Sequence, residues 1–103
     1  MKLLIITAVE AFEEKIKTLL IRSGVKAFSY MPVRGYKNDS AKEQSSGDNW
    51  FASNLSETDS LLFWAMVPEE QVNGVYESIE HYNEKQPFLS KIHVTTLSTE
   101  KYI

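Results

Sequence analysis

Leu61-Leu62-Phe63-Trp64-Ala65-Met66-Val67, running into Pro68-Glu69-Glu70, is the stretch on which the fold of this chain turns. Seven consecutive apolar residues predict a strand covered on both faces, since a strand with one wet face would alternate. Pro68 stands where the first position of a helix would be, its missing N–H costing nothing there. Two glutamates suit the positive end of the helix that follows. Val72, Val75, Tyr76 and Ile79 recur at helical spacing, so a helix is expected over 68–83. The same strand-into-helix pattern occurs once before. Leu3-Leu4-Ile5-Ile6-Thr7-Ala8-Val9 is a second continuous apolar run, and Phe12, Ile16, Leu19 and Leu20 follow it on one helical face. Glu10, Glu13 and Glu14 lie early in that helix and Lys15, Lys17 and Arg22 later, the polarity the helix dipole favours. Gly24 supplies the left-handed position that ends it.

Between and after these units lie two less apolar segments. Residues 25–37 read as an aromatic-rich strand in which Pro32 cannot donate to a ladder, so it belongs at a sheet edge or carries a bulge. Residues 83–90 are a turn containing Pro87. Lys91-Ile92-His93-Val94-Thr95-Thr96-Leu97 alternates as a strand, leaving a tail from Ser98 to Ile103. The order β-α-β-β-α-β is the split βαβ arrangement of ferredoxin-like folds: α+β, with a four-stranded antiparallel sheet and two helices on one face. That topology makes strands one and three the inner pair. They are the two all-apolar runs, an agreement not used in choosing the fold.

The chain reads as a single domain over 1–103, with a long insertion at 38–60. This stretch holds six serines and five acidic residues (Asp39, Glu43, Asp48, Glu57, Asp59) against Lys42, a net of −4. The rest of the chain is therefore +1 where the whole is −3. A loop of this length in a compact domain is functional or disordered. Trp50-Phe51 within it is either an anchor for a protein partner or a tether packing the loop down.

Composition excludes several classes. The absence of cysteine removes disulfide frameworks, thiolate metal sites and cysteine nucleophiles. His81 and His93 are too far apart in sequence to form a chelating pair, and no carboxylate spacing supports a metal site. The serines, histidines and aspartates form no nucleophile arrangement, and Glu13-Glu14 and Glu69-Glu70 read as helix-start solvation. No catalytic role is expected. The near-balanced charge argues against a nucleic-acid surface. The first apolar run is too short to insert in a membrane or to act as a signal peptide, so the cytoplasm is the expected compartment.

Two helices cover only one face of the expected sheet, whereas strands one and three are apolar on both. Such a face exceeds what soluble monomers normally expose, and another copy of the chain is the expected cover. The alternative is the 38–60 loop folding back through Trp50, Phe51 and Leu55.

The chain resembles the PII signalling proteins and their PII-like relatives. The likeness runs through Met1 to Val25, Val33-Arg34-Gly35-Tyr36 before the long loop, Val67-Pro68-Glu69-Glu70, and Ser90-Lys91-Ile92-His93-Val94. It implies a homotrimer packed through its sheets, a ligand cleft between subunits, and a long T-loop at 38–60 that contacts a regulated transporter or enzyme. In the family the ligand is an adenine nucleotide, held by glycines that open the T-loop, a glycine-rich loop with its lysine, and C-terminal arginines. Gly35 matches the first of those glycines and Lys91 the lysine. The second glycine is Lys37 here and the T-loop glutamine is Asp39. The segment Glu84-Lys85-Gln86-Pro87-Phe88-Leu89-Ser90 has no glycine, only Lys101 stands near the missing arginines, and the modified tyrosine motif is absent. Backbone amides wrap phosphates closely where glycine lets the chain turn tightly, so these departures argue against ATP binding of the PII kind. A smaller, less phosphorylated or entirely different ligand is left open, with Arg34, Gly35, Lys37 and Lys91 as candidate contacts. For each a plainer role stays open: a bulge at Gly35, a solvated edge at Lys91, strand-end solvation at Arg34 and Lys37. The alternative family reading is a CutA-like trimer binding divalent metal.

Overall fold

A computed structural model of the chain describes residues 1–37, 57–87 and 90–103. Trp50, Phe51 and Leu55, with the rest of 38–56, lie outside the described residues, as do Phe88 and Leu89. The elements are β1 (Lys2–Val9), a 3-10 turn (Glu10–Phe12), α1 (Glu13–Arg22), β2 (Ser29–Tyr36), β3 (Glu57–Val67), α2 (Glu69–Lys85) and β4 (His93–Ser98). The sheet is antiparallel in the order β2-β3-β1-β4, so the two apolar runs are its centre, as expected. The architecture is the α+β sandwich that the sequence pattern implies.

The pairing of β1 with β3 sets which residues share a face. Leu4 lies opposite Ala65, Ile6 opposite Phe63 and Ala8 opposite Leu61. All of these are buried, packed beneath Ile16, Leu19 and Leu20 of α1 and Val75 and Ile79 of α2. Strand alternation sends Leu3, Ile5, Thr7, Leu62, Trp64 and Met66 to the other face. No described element covers that face, and Met31, Met66 and Leu97 are 44, 37 and 45% exposed there.

Helix α1 ends in a Schellman motif. Gly24, at φ 88°, places the Val25 amide on the Leu20 carbonyl at 3.0 Å and its own amide on the Ile21 carbonyl at 3.1 Å. Val25 is thereby turned into the core beside Leu20. Edge strand β2 pairs along its whole length with β3 and adds an aromatic contact to it. Tyr30 stacks on Phe63 with centroids 4.9 Å apart, and Lys17 of α1 lies 4.7 Å over the Tyr30 ring. Glu13, bonded to Lys17 at 2.8 Å, and then Tyr30 hold that ammonium in its charged form well above the ordinary lysine range.

Several details differ from expectation: β2 begins at Ser29 and not at residue 25, and β4 runs from His93 to Ser98 and not from Lys91 to Leu97. Strand β3 begins at Glu57, so Glu57 to Ser60 belong to the sheet rather than to the loop. They are polar on both faces and carry no burial signal; their ladder partners, Val33 to Tyr36, are what make them strand. The β2–β3 register runs unbroken from Ser29↔Trp64 to Tyr36↔Glu57, so neither Pro32 nor Gly35 marks a bulge; Pro32 is accommodated because β2 is an edge. Pro68 caps α2 in extended conformation instead of opening it, and the helix continues to Lys85.

Two substitutions should move stability in opposite directions. Gly24→Ala should lower it by about 1–2 kcal/mol through left-handed strain. Gly74→Ala, on an exposed stretch of α2 where an added Cβ meets nothing within 4 Å, should raise it by about 0.5–1 kcal/mol. Urea unfolding of both variants at one fixed protein concentration measures the difference.

Candidate functional site

The end of the sheet at Val9 carries a cleft of about 650 Å³ on the face away from the helices. Its floor is Thr7, Ala8 and Val9 of β1, with Val33 and Gly35 of β2 on one side. Thr58 and Ser60 of β3 add hydroxyls, and Ser90, Lys91 and His93 close the other side. Tyr36 and Lys37 stand where β2 leaves the sheet. The lining therefore presents two ammonium groups, an imidazole and several hydroxyls, and no carboxylate among the described residues. An anion is the chemistry this set accepts.

The structure brings Gly35, Lys37 and Lys91 to this one cleft, although they lie in different parts of the sequence. Arg34 does not join them. Strand alternation puts it on the opposite face from Gly35, where its Nη1 meets Glu57 Oε2 at 3.1 Å. A β-carbon at Gly35 would stand 3.2 Å from Ser60 Oγ, so the hydrogen there leaves room beside the Ser60 hydroxyl.

Lys91 is positioned by a device the sequence did not announce. The Asn83 side chain, from the last turn of α2, accepts from the Ile92 amide at 2.9 Å and donates to the Ile92 carbonyl at 2.8 Å. It thus pairs with both backbone groups of Ile92 as a neighbouring strand would. The Asn83 carbonyl, one of the helix-end acceptors without an intrahelical donor, receives the Lys91 ammonium at 2.9 Å. An ammonium has three donors, so that bond orients Lys91 and leaves two N–H groups for a ligand. Gln86, which is buried, donates to the carbonyl of Ser90, the residue before Lys91. An Asn and a Gln three residues apart at a helix end, ahead of a proline, were the available signal. His93 was missed as a cleft residue although the alternation of Ile92 and Val94 with His93 and Thr95 already put it on the face away from the core. What the sequence did not show is that this end of β4 lies across β1 from Gly35 and Lys37.

Among the described residues no group of three or more histidines and carboxylates could hold a metal ion. No helix among them is long and apolar enough to cross a membrane.

The chain matches no protein-family model and no curated protein sequence. Solved structures do match its fold. CPII, a nitrogen regulatory PII-like protein from Thiomonas intermedia K12, determined with ADP, AMP and bicarbonate, is 21% identical with a TM-score of 0.63; the match covers 99% of this chain and 94% of that one. The same protein with ADP, AMP and acetate gives 22% identity and a TM-score of 0.59 over 95% of this chain and 88% of that one. A DUF3240 family protein from Shewanella baltica OS155 gives 14% identity and a TM-score of 0.67 over 98 and 91% of the two chains. The chain has the PII-like fold over nearly its whole length.

Asn83→Ala should remove both bonds to Ile92 and cost about 1–3 kcal/mol, since it leaves backbone groups of a buried residue unpaired. Hydrogen exchange at the Ile92 amide should accelerate in the variant, whereas exchange at the Ile6 amide should keep its rank among the slowest. Unchanged protection at Ile92 would show that Asn83 does not hold the segment.

Proposed function

We propose that this chain is a divergent PII-like regulator that binds a small anion at the cleft between neighbouring copies. The observation that carries this reading is the convergence of Gly35, Lys37, Lys91 and His93, with several hydroxyls, on one carboxylate-free cleft. Support comes also from the fold, shared with a PII-like protein solved with ADP, AMP and bicarbonate. Regulation rather than catalysis is the better reading, because among the described residues no cleft hydroxyl is hydrogen-bonded to His93 or to a carboxylate that could activate it.

The cleft lies on the sheet face that no described element covers, and a homotrimer packed through that face would both bury its apolar residues and wall the cleft. Ile5 and Trp64 are half-buried and Met31, Met66 and Leu97 exposed on that face. Completing their burial recovers part of the roughly 1.5–3 kcal/mol that a large apolar side chain gains on full burial, and this drives the association. The glycine-free turn before Lys91 favours a compact anion such as bicarbonate or a nucleotide monophosphate over a triphosphate. Segment 38–60, acidic and carrying Trp50 and Phe51, is the surface through which the regulator meets its target, a transporter or an enzyme, in the cytoplasm.

Sedimentation velocity should give a trimer for the natural chain and a monomer for Trp64→Glu, which places a charge in the apolar face. A natural chain that sediments as a monomer removes the inter-subunit cleft. Calorimetric titration with bicarbonate, AMP and ADP should detect at least one ligand, weakened about tenfold or more by Lys91→Gln and by Lys37→Gln. Arg34→Gln, on the other face, should leave that affinity unchanged. Silence with all three anions would end the ligand-binding reading.

A further inference from the structure

The helix layer carries a second concavity, on the opposite side of the sheet from the cleft, with a volume of about 380 Å³. Lys15, Thr18, Leu19 and Arg22 line it from α1. Ser78, His81, Tyr82 and Lys85 line it from α2. Each set has the spacing i, i+3, i+4, i+7, so each helix presents one continuous stripe to the groove. The stripes are alike in chemistry: two basic residues, one hydroxyl, and one apolar or aromatic residue at the floor.

Charge is segregated around this groove. No acidic residue of either helix contributes to its lining. Lys2, Lys17 and Arg34 have carboxylate partners within 4.0 Å. Among the described residues Lys15, Arg22, His81 and Lys85 have none. Three positive charges and an imidazole, all solvent-exposed, thus line one groove with no carboxylate within 4.0 Å, so a multivalent anion there meets cations that no ion pair already occupies.

We propose that the groove between α1 and α2 binds a soluble oligophosphate, a short chain of linked phosphates. Three features select this class. The cations are spread out: Lys15 and Arg22, seven residues apart, are separated by about 10 Å along the α1 axis, and the second pair lies across from them. A monovalent anion would satisfy one of them, whereas linked phosphates carry several charges over a comparable length. Thr18 and Ser78 add hydroxyl donors for non-bridging oxygens. Recognition rests on charge and not on a ring, because Tyr82 is already engaged edge-on with Phe12 and lies beneath Lys15, 5.1 Å from its Nζ. The site is independent of the cleft at Lys91, and association through the open sheet face leaves the helix layer in solvent.

Titration of the full chain with inorganic tripolyphosphate, followed by calorimetry and amide chemical shifts, tests the proposal. Saturable binding is expected, with shifts at Arg22 and Lys85, and with orthophosphate at least about tenfold weaker because it spans fewer cations. The double variant Arg22→Gln/Lys85→Gln should lose tripolyphosphate affinity by about tenfold or more. It should stay folded with a urea midpoint close to that of the natural chain, because relief of repulsion and loss of a favourable helix-end charge act in opposite directions. Lys91→Gln should leave this affinity unchanged. Absence of saturable binding, loss of binding in Lys91→Gln alone, or equal affinity for orthophosphate would each overturn the assignment. So would co-sedimentation with phosphatidylserine-containing vesicles by a chain that ignores free tripolyphosphate, which would make the groove a membrane contact instead.

Discussion

The antiparallel pairing of β1 with β3 is the constraint from which the remaining structure follows. Its register, from Lys2↔Val67 to Val9↔Ser60, stacks Leu4, Ile6 and Ala8 beside Ala65, Phe63 and Leu61 on one face. Those side chains form the floor onto which both helices pack, and a shift of one residue would turn all of them outward. The same register stacks Ile5 against Trp64 and Leu3 against Met66 on the opposite face. One set of backbone hydrogen bonds therefore creates both a completed core and an apolar surface awaiting a partner.

The two outer strands depend on that centre in different ways. β4 is tied along its length to β1, and its approach is guided by Asn83, whose amide stands in for a strand beside Ile92. The Tyr76 hydroxyl, 2.8 Å from that of Thr96, adds a link from α2. β2 buries little; its ladder to β3 holds it to the sheet, and the stack of Tyr30 on Phe63 with Lys17 above it ties it to the helix side. Beyond that stack β2 and β3 continue as a polar ladder to Tyr36 and Glu57. The ladder sets Gly35 and Lys37 opposite Lys91 and His93 across the end of the sheet. The cleft thus exists because a polar hairpin extends past the core on one side while the Asn83-held segment stands on the other.

Electrostatics divide the molecule in a way that net charge conceals. The acidic excess belongs to residues 38–60, and the remainder of the chain is close to neutral. Within that remainder, positive side chains collect in two concave places on opposite sides of the sheet. One is lined by Lys37, Lys91 and His93 and the other by Lys15, Arg22, His81 and Lys85. Helical periodicity keeps the glutamates of α1 and α2 off the groove between them, and strand alternation keeps Arg34, with its partner Glu57, off the cleft.

The sequence by itself determined the element order, the central position of the two apolar runs, the glycine that ends α1 and the edge position of the proline-bearing strand. Each of these is written in local chemistry: uninterrupted hydrophobicity, helical spacing, a residue tolerant of positive φ, a missing donor. The PII-like resemblance was legible for the same reason, since it rests on the order of these elements and on where the long insertion falls. Tertiary structure alone decided where β3 begins, because Glu57 to Ser60 are strand through their partners and not through their side chains. It also separated Arg34 from Gly35, adjacent residues sent to opposite faces by the pleat, and joined Lys37 to Lys91 and His93 from distant parts of the chain. The basic groove is of the same kind. Two helical stripes of identical spacing become one site only when the shared core brings α1 and α2 side by side.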